Sequence, residues 1–174
     1  MKVIDPISFW SEPLEIKKWG EKCNPHISPA WHDYINFQLH PDDLTILCRV
    51  IFPAFVIFGD YTLLKLNTEG HSEYNLLEFS RKAQSANKFE RDFNTLKLYD
   101  LFPHAEVMYE ESFDAAAKLL KKSWEIALNL AFPESSFSVV LSNTDRDYGS
   151  TISFSRCRNT DYSEASSQPP LSTM

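Results

Sequence analysis

The chain has 174 residues, 43% hydrophobic and 24% charged, with 17 Lys and Arg against 24 Asp and Glu for a formal charge of −7. That balance suits a globular protein and excludes collagenous, low-complexity and fully disordered chains, and the length is enough to bury a core without disulfide or metal staples. Only four glycines are present, which sets aside most glycine-loop nucleotide enzymes, and net acidity repels a phosphate backbone, so nucleic acid is not an expected partner.

Residues 1–27 are rich in Pro and Trp, and Asp5-Pro6 and Ser11-Glu12-Pro13 read as helix starts. The opening Met1-Lys2-Val3-Ile4-Asp5-Pro6 lacks the apolar run of a secretory signal. The longest apolar stretch, 44–58, is broken by Arg49 and Pro53, too short for a spanning helix. A soluble, cytoplasmic protein without membrane contact is therefore expected.

Ser28-Pro29 is a cap followed by Pro at the first helical position, and Trp31, Tyr34, Ile35 and Leu39 then share a helical stripe. Pro41-Asp42-Asp43 opens another helix, its acids suited to the positive end of the dipole. Leu44, Leu47, Cys48, Ile51 and Phe52 fall at helical spacing, and most positions between them are apolar. The pattern predicts a helix buried on most sides, with Cys48 in the core. Pro53 stops it.

Residues 54–66 read as a hairpin turning at Gly59-Asp60 and covered on both faces. After a polar loop around Gly70, residues 73–83 predict a helix with Tyr74, Leu77 and either Leu76 or Ser80 inward. Ser85 is placed to cap a further helix bearing Phe89, Phe93 and Leu96, and Leu98, Leu101 and Phe102 anchor the exit.

The clearest helix is 113–131, capped by Ser112, with Ala116, Leu119, Leu120, Ala127 and Leu130 inward and Trp124 at the margin. Beyond Pro133 the period becomes two. Phe137, Val139 and Leu141, then Ile152 and Phe154, form one apolar face; the serine-rich other face reads as wetter. Residues 159–174 lose the apolar pattern and read as a disordered Ser/Thr/Pro-rich tail behind one globular domain, 1–158. The fold class is thus α+β: five or six helices on an antiparallel sheet built from two hairpins, 54–66 and 137–156.

Reaction chemistry finds little footing. Cys23, Cys48 and Cys157 are scattered and form no CxxC pair, so reduced thiols are expected. Cys157 lies between Arg156 and Arg158, but no His base is near in sequence, so a reactive thiol is not the expected reading. Cys23, His26 and His32 lack the fourth ligand and paired spacing of structural zinc, and read as ordinary polar residues. Neither a phosphate-binding glycine motif nor a GxSxG or HExxH motif occurs. Asp42-Asp43 and Glu110-Glu111 are adjacent in sequence, so on a helix their carboxylates diverge by about 100°. No cofactor and no metal are expected.

One polar segment stands out. Asp145, Arg146, Asp147 and Tyr148 lie in the turn of the second predicted hairpin, where a rigid scaffold presents a loop to a partner. Two Asp there steer a basic protein. In size, charge and composition the chain resembles immunity-type inhibitors, which cover the active site of a toxin domain. No motif carries that resemblance, so it transfers no site residue. The expected function is a non-catalytic acidic protein-binding module with a basic partner. A small hydrolase or transferase with a dispersed site, and a homodimeric structural protein, are the alternatives.

Overall fold

The computed structural model describes residues 13–23, 31–102, 110–142 and 150–158. Among them stand eight helices and five strands, which makes the fold α+β. The predicted tail, 159–174, lies outside the described residues.

Three helices open the chain: α1 (Leu14–Cys23), α2 (Trp31–Gln38) and α3 (Pro41–Ile51). The start of α3 is built as its sequence implies. Pro41 takes the first position, the His40 N–H donates to Asp43 Oδ2 at 2.7 Å, and the Asp42 N–H donates back to His40 Nδ1. These bonds satisfy backbone donors that a helix start leaves orphaned.

The first hairpin follows as β1 (Phe55–Phe58) and β2 (Tyr61–Leu64), paired antiparallel with Phe55 opposite Leu64 and Phe58 opposite Tyr61. Gly59 makes the turn at a φ of 56°, a conformation costly for residues with a Cβ. After the single turn α4 (Lys65–Thr68), helices α5 (Glu73–Lys82) and α6 (Ala86–Phe93) begin at Ser72 and Ser85, whose hydroxyls accept from the N–H groups of Asn75 and Lys88. The short strand β3 (Leu96–Lys97) and the turn α7 (Leu98–Leu101) lead toward the long helix α8 (Glu110–Ala131). Strands β4 (Phe137–Ser142) and β5 (Thr151–Arg156) end the described chain.

The main core lies between α8 and the β3-β5-β4 sheet. Trp124 is fully buried at its centre, edge-on to Phe154, and its indole Nε1 donates to the Val50 carbonyl at 2.9 Å. Phe55 bridges hairpin and sheet, touching Phe132 and Phe154. A smaller core gathers Leu63, Leu76 and Phe89. Strand alternation explains the division: Leu64 points into the main core and Leu63 into the smaller one.

Several expectations are corrected. The hairpins do not share one sheet: β1 and β2 stand alone, and β5 takes β3 and β4 as neighbours. Side chains of α6, described below, occupy the place where β2 and β5 would pair. Helix α3 contains no buried residue, and Cys48 is exposed. That helix reaches the body through Val50 and Ile51 at its end, so its hydrophobicity is not matched by cover.

Helix α8 starts at Glu110, which puts Ser112 inside the helix instead of at its cap. Its buried stripe runs through Ala117, Leu120, Trp124, Ala127 and Leu128, while Leu130 is 77% exposed. The helix is turned toward Trp124, whose large ring needs cover and whose N–H needs an acceptor. On α5 only Leu76 is buried, with Tyr74 and Leu77 outward. Leu96 falls in β3, beyond the end of α6. Phe102 stays exposed although Leu98 is fully buried. Thr151, Ser153 and Ser155, expected on a wet face, are buried because β5 is the middle strand and α6 packs along it.

Candidate functional site

The recognition loop read from sequence, Asp145 to Tyr148, lies outside the described residues. Its supports are visible. Thr151 Oγ1 donates to the Ser142 carbonyl across the hairpin, and Ser150 Oγ donates to Asp114 Oδ1 on α8 at 3.2 Å. The loop therefore springs from two strands fixed to the long helix.

A buried polar cluster among the described residues centres on α6, at positions with no motif in the sequence. Glu90 on α6 is fully buried. Its Oε1 accepts from the Thr62 N–H of β2 at 2.8 Å, and its Oε2 accepts from the Arg156 N–H of β5 at 2.7 Å. The Arg158 guanidinium grips both oxygens, at 2.9 and 3.1 Å. One turn later Asn94 repeats the device. Its Oδ1 accepts from the Leu64 N–H, and its Nδ2 donates to the carbonyls of Thr62 and Phe154. The two side chains together act as a missing strand, satisfying backbone groups of β2 on one side and β5 on the other.

Arg158 is further held by Asn87 Oδ1 and the Asp60 carbonyl. Arg156 reaches Thr62 Oγ1 and lies over the Phe137 ring, yet its buried Nε has no partner. Glu90 already accepts four donors, all from the protein, and is sealed from solvent. It is thus a structural clasp and presents no free lone pair to a substrate. The sequence signal was faint: Glu90 and Asn94 stand four apart, beside the more conspicuous Phe89 and Phe93 pair.

The other unusual surface lies along two consecutive helices, α2 and α3, the arm. Neither helix has a buried residue. Trp31, Phe37, Leu44, Ile46 and Phe52 each keep more than half of their surface exposed. Trp19 on α1 meets Tyr34 and Phe37 through ring contacts, which secures one side of α2. On α3 the exposed apolar side chains point several ways round the helix, whereas a helix apolar on all sides is ordinarily enclosed. Asp33, Asp42 and Asp43 supply acid to this arm and Arg49 its one Arg or Lys.

A groove of about 430 Å³ runs between α5 and α6, with Phe79, Phe89 and Phe93 along it and Lys82 and Lys88 at its rim. Both lysines are tied within their own helices, to Glu78 and Asp92 respectively. Cys23, His32 and His40 are exposed, and His26 lies outside the described residues. No group of three or more His, Cys, Asp or Glu converges on a metal position among the described residues. No helix among them is long and apolar enough to cross a membrane. No family model matches the chain, and neither a curated protein nor a solved structure matches it.

Proposed function

We propose that the chain is a non-catalytic protein-binding module, of the kind that inhibits a basic toxin domain by covering it, with the α2–α3 arm as its contact face. The observation that carries this reading is the exposure of large apolar side chains along 31–52. A free aromatic or large aliphatic side chain offers about 200 Å², so the five most exposed residues leave roughly 600 Å² of apolar surface uncovered. Summed over both helices, that approaches one partner's share of about 800 Å² in a standard interface. The charge of −7 and the acidic arm favour a basic partner through steering and rim contacts.

The test is affinity capture from the native host with the wild-type chain and with a Leu44→Asp/Ile46→Asp variant. Both positions are well over half exposed, so the variant is expected to keep its circular dichroism and melting temperature. A protein held by the wild type and lost by the variant is the expected result. An identical capture profile from both chains removes the arm as contact face, and turnover of a small molecule by the purified chain removes the non-catalytic reading.

A further inference from the structure

Resting on that reading, we infer that α3 is the recognition element itself, laid lengthwise against a basic amphipathic helix of the partner. Three observations converge on it. First, Leu44, Leu47 and Cys48 stand at i, i+3 and i+4 and all are exposed, the anchor spacing with which a helix seats in a groove or on another helix. Ile51 continues that row into the body, where it packs on the main core.

Second, α3 is fastened at one end and open at the other. Its last turn is held by Val50 and Ile51, with the Val50 carbonyl accepting from Trp124, while its start, closed by the His40 and Asp43 cap, is mostly exposed. Eleven residues make a rod of about 16 Å. A helix already capped and anchored loses little freedom when a partner settles on it. Third, charge along the rod is uneven. Asp42 and Asp43 occupy the free end, and Arg49 lies in the anchored last turn. A partner helix with cations beside its apolar stripe meets carboxylates where α3 is most accessible, and an acidic one meets repulsion there. The sign of the partner's charge is thereby fixed.

The probes are two labelled 18-residue synthetic helices, one of Leu and Lys at i, i+3, i+4, i+7 spacing and one with Glu in place of every Lys. Binding is read by fluorescence anisotropy. The Leu/Lys helix is expected to bind the wild-type chain at least about tenfold more tightly than the Leu/Glu helix, and Asp42→Lys is expected to narrow that ratio. The decisive variant is Leu44→Asp/Leu47→Asp. It makes the chain more acidic, so plain attraction between opposite charges would strengthen, whereas seating on the apolar row would be lost.

Equal affinity for the two probes, or undiminished binding by the Leu44→Asp/Leu47→Asp variant, overturns the inference. So does a doubled mass in light scattering that the same variant returns to monomer, because a second copy would then cover α3. If the probes fail while a host protein still requires the arm, only this inference falls. If no captured protein depends on the arm, the broader reading falls with it.

Discussion

Replacing Glu90 by Ala tests the seam between the two sheets. The substitution leaves the Thr62 and Arg156 N–H groups without their acceptor and strips Arg158 of its bidentate partner. An unsatisfied buried donor costs about 1–3 kcal/mol. Arg158 keeps 21% of its side chain exposed and turns partly to water, so its loss lies below the roughly 3–5 kcal/mol of a fully buried broken pair. Two donors at the middle of that range give about 4 kcal/mol before Arg158 is counted, a large share of the roughly 5–15 kcal/mol that holds a domain folded. With a urea slope of about 2 kcal/mol per molar, the unfolding midpoint drops by about 2 M at an unchanged slope. Arg158→Ala is expected to cost about as much, because it leaves the fully buried Glu90 carboxylate with two backbone donors and no counter-charge. The double variant should cost less than the two single variants summed, by at least about 1 kcal/mol. A midpoint shift below about 0.5 M for Glu90→Ala would refute the seam as a stabilising element.

Other substitutions probe the same framework. Trp124→Ala empties the centre of the main core and is expected to cost about 3–5 kcal/mol, whereas Leu130→Ala, on the exposed side of the same helix, stays within about 0.5 kcal/mol; thermal melts of the pair decide which face of α8 is inward. Asn94→Asp keeps the shape but turns an oxygen toward the Thr62 and Phe154 carbonyls that now receive N–H groups; a loss of at least about 2 kcal/mol by urea titration is expected. Gly59→Ala meets no atom within 4 Å, so any cost is conformational, about 1–2 kcal/mol from the positive φ; a neutral result would mean that the turn takes another conformation in solution.

Much of the fold was legible because local chemistry fixed it. Ser85 capping α6, Pro41 opening α3 and Gly59 turning the first hairpin depend on residues within one turn of each other. The period-two pattern of 137–142 and 151–156 likewise specified two paired strands. Failures came where a long-range partner decided the outcome. Leu44 and Leu47 look like core residues in any window, yet both are exposed, because α3 meets the body only through its last turn. Leu130 continues the apolar stripe of α8 on paper, but Trp124 and its Val50 acceptor set the rotation of the helix. Glu90 and Asn94 resemble ordinary surface residues until β2 and β5, distant in sequence, close on them. Of the two candidate contact surfaces, the loop at 145–148 was read from its turn residues. The arm was hidden by the assumption that apolar residues find cover within their own chain.

The arm and the seam place stability and contact in different parts of the molecule. The seam joins α6, β2 and β5 through buried bonds, so its loss weakens the whole body and any contact the body supports. The arm adds little to that ledger, since Leu44 and Ile46 are mostly exposed in the free chain and a polar replacement there removes almost no buried area. Its apolar character is therefore unexplained by folding. It leaves large apolar side chains in contact with water. A surface that is expensive in isolation and irrelevant to the core becomes intelligible if something covers it, and the acid at its free end restricts what that something is. Variants at the exposed positions of the arm should accordingly separate binding from stability, whereas variants in the seam should not.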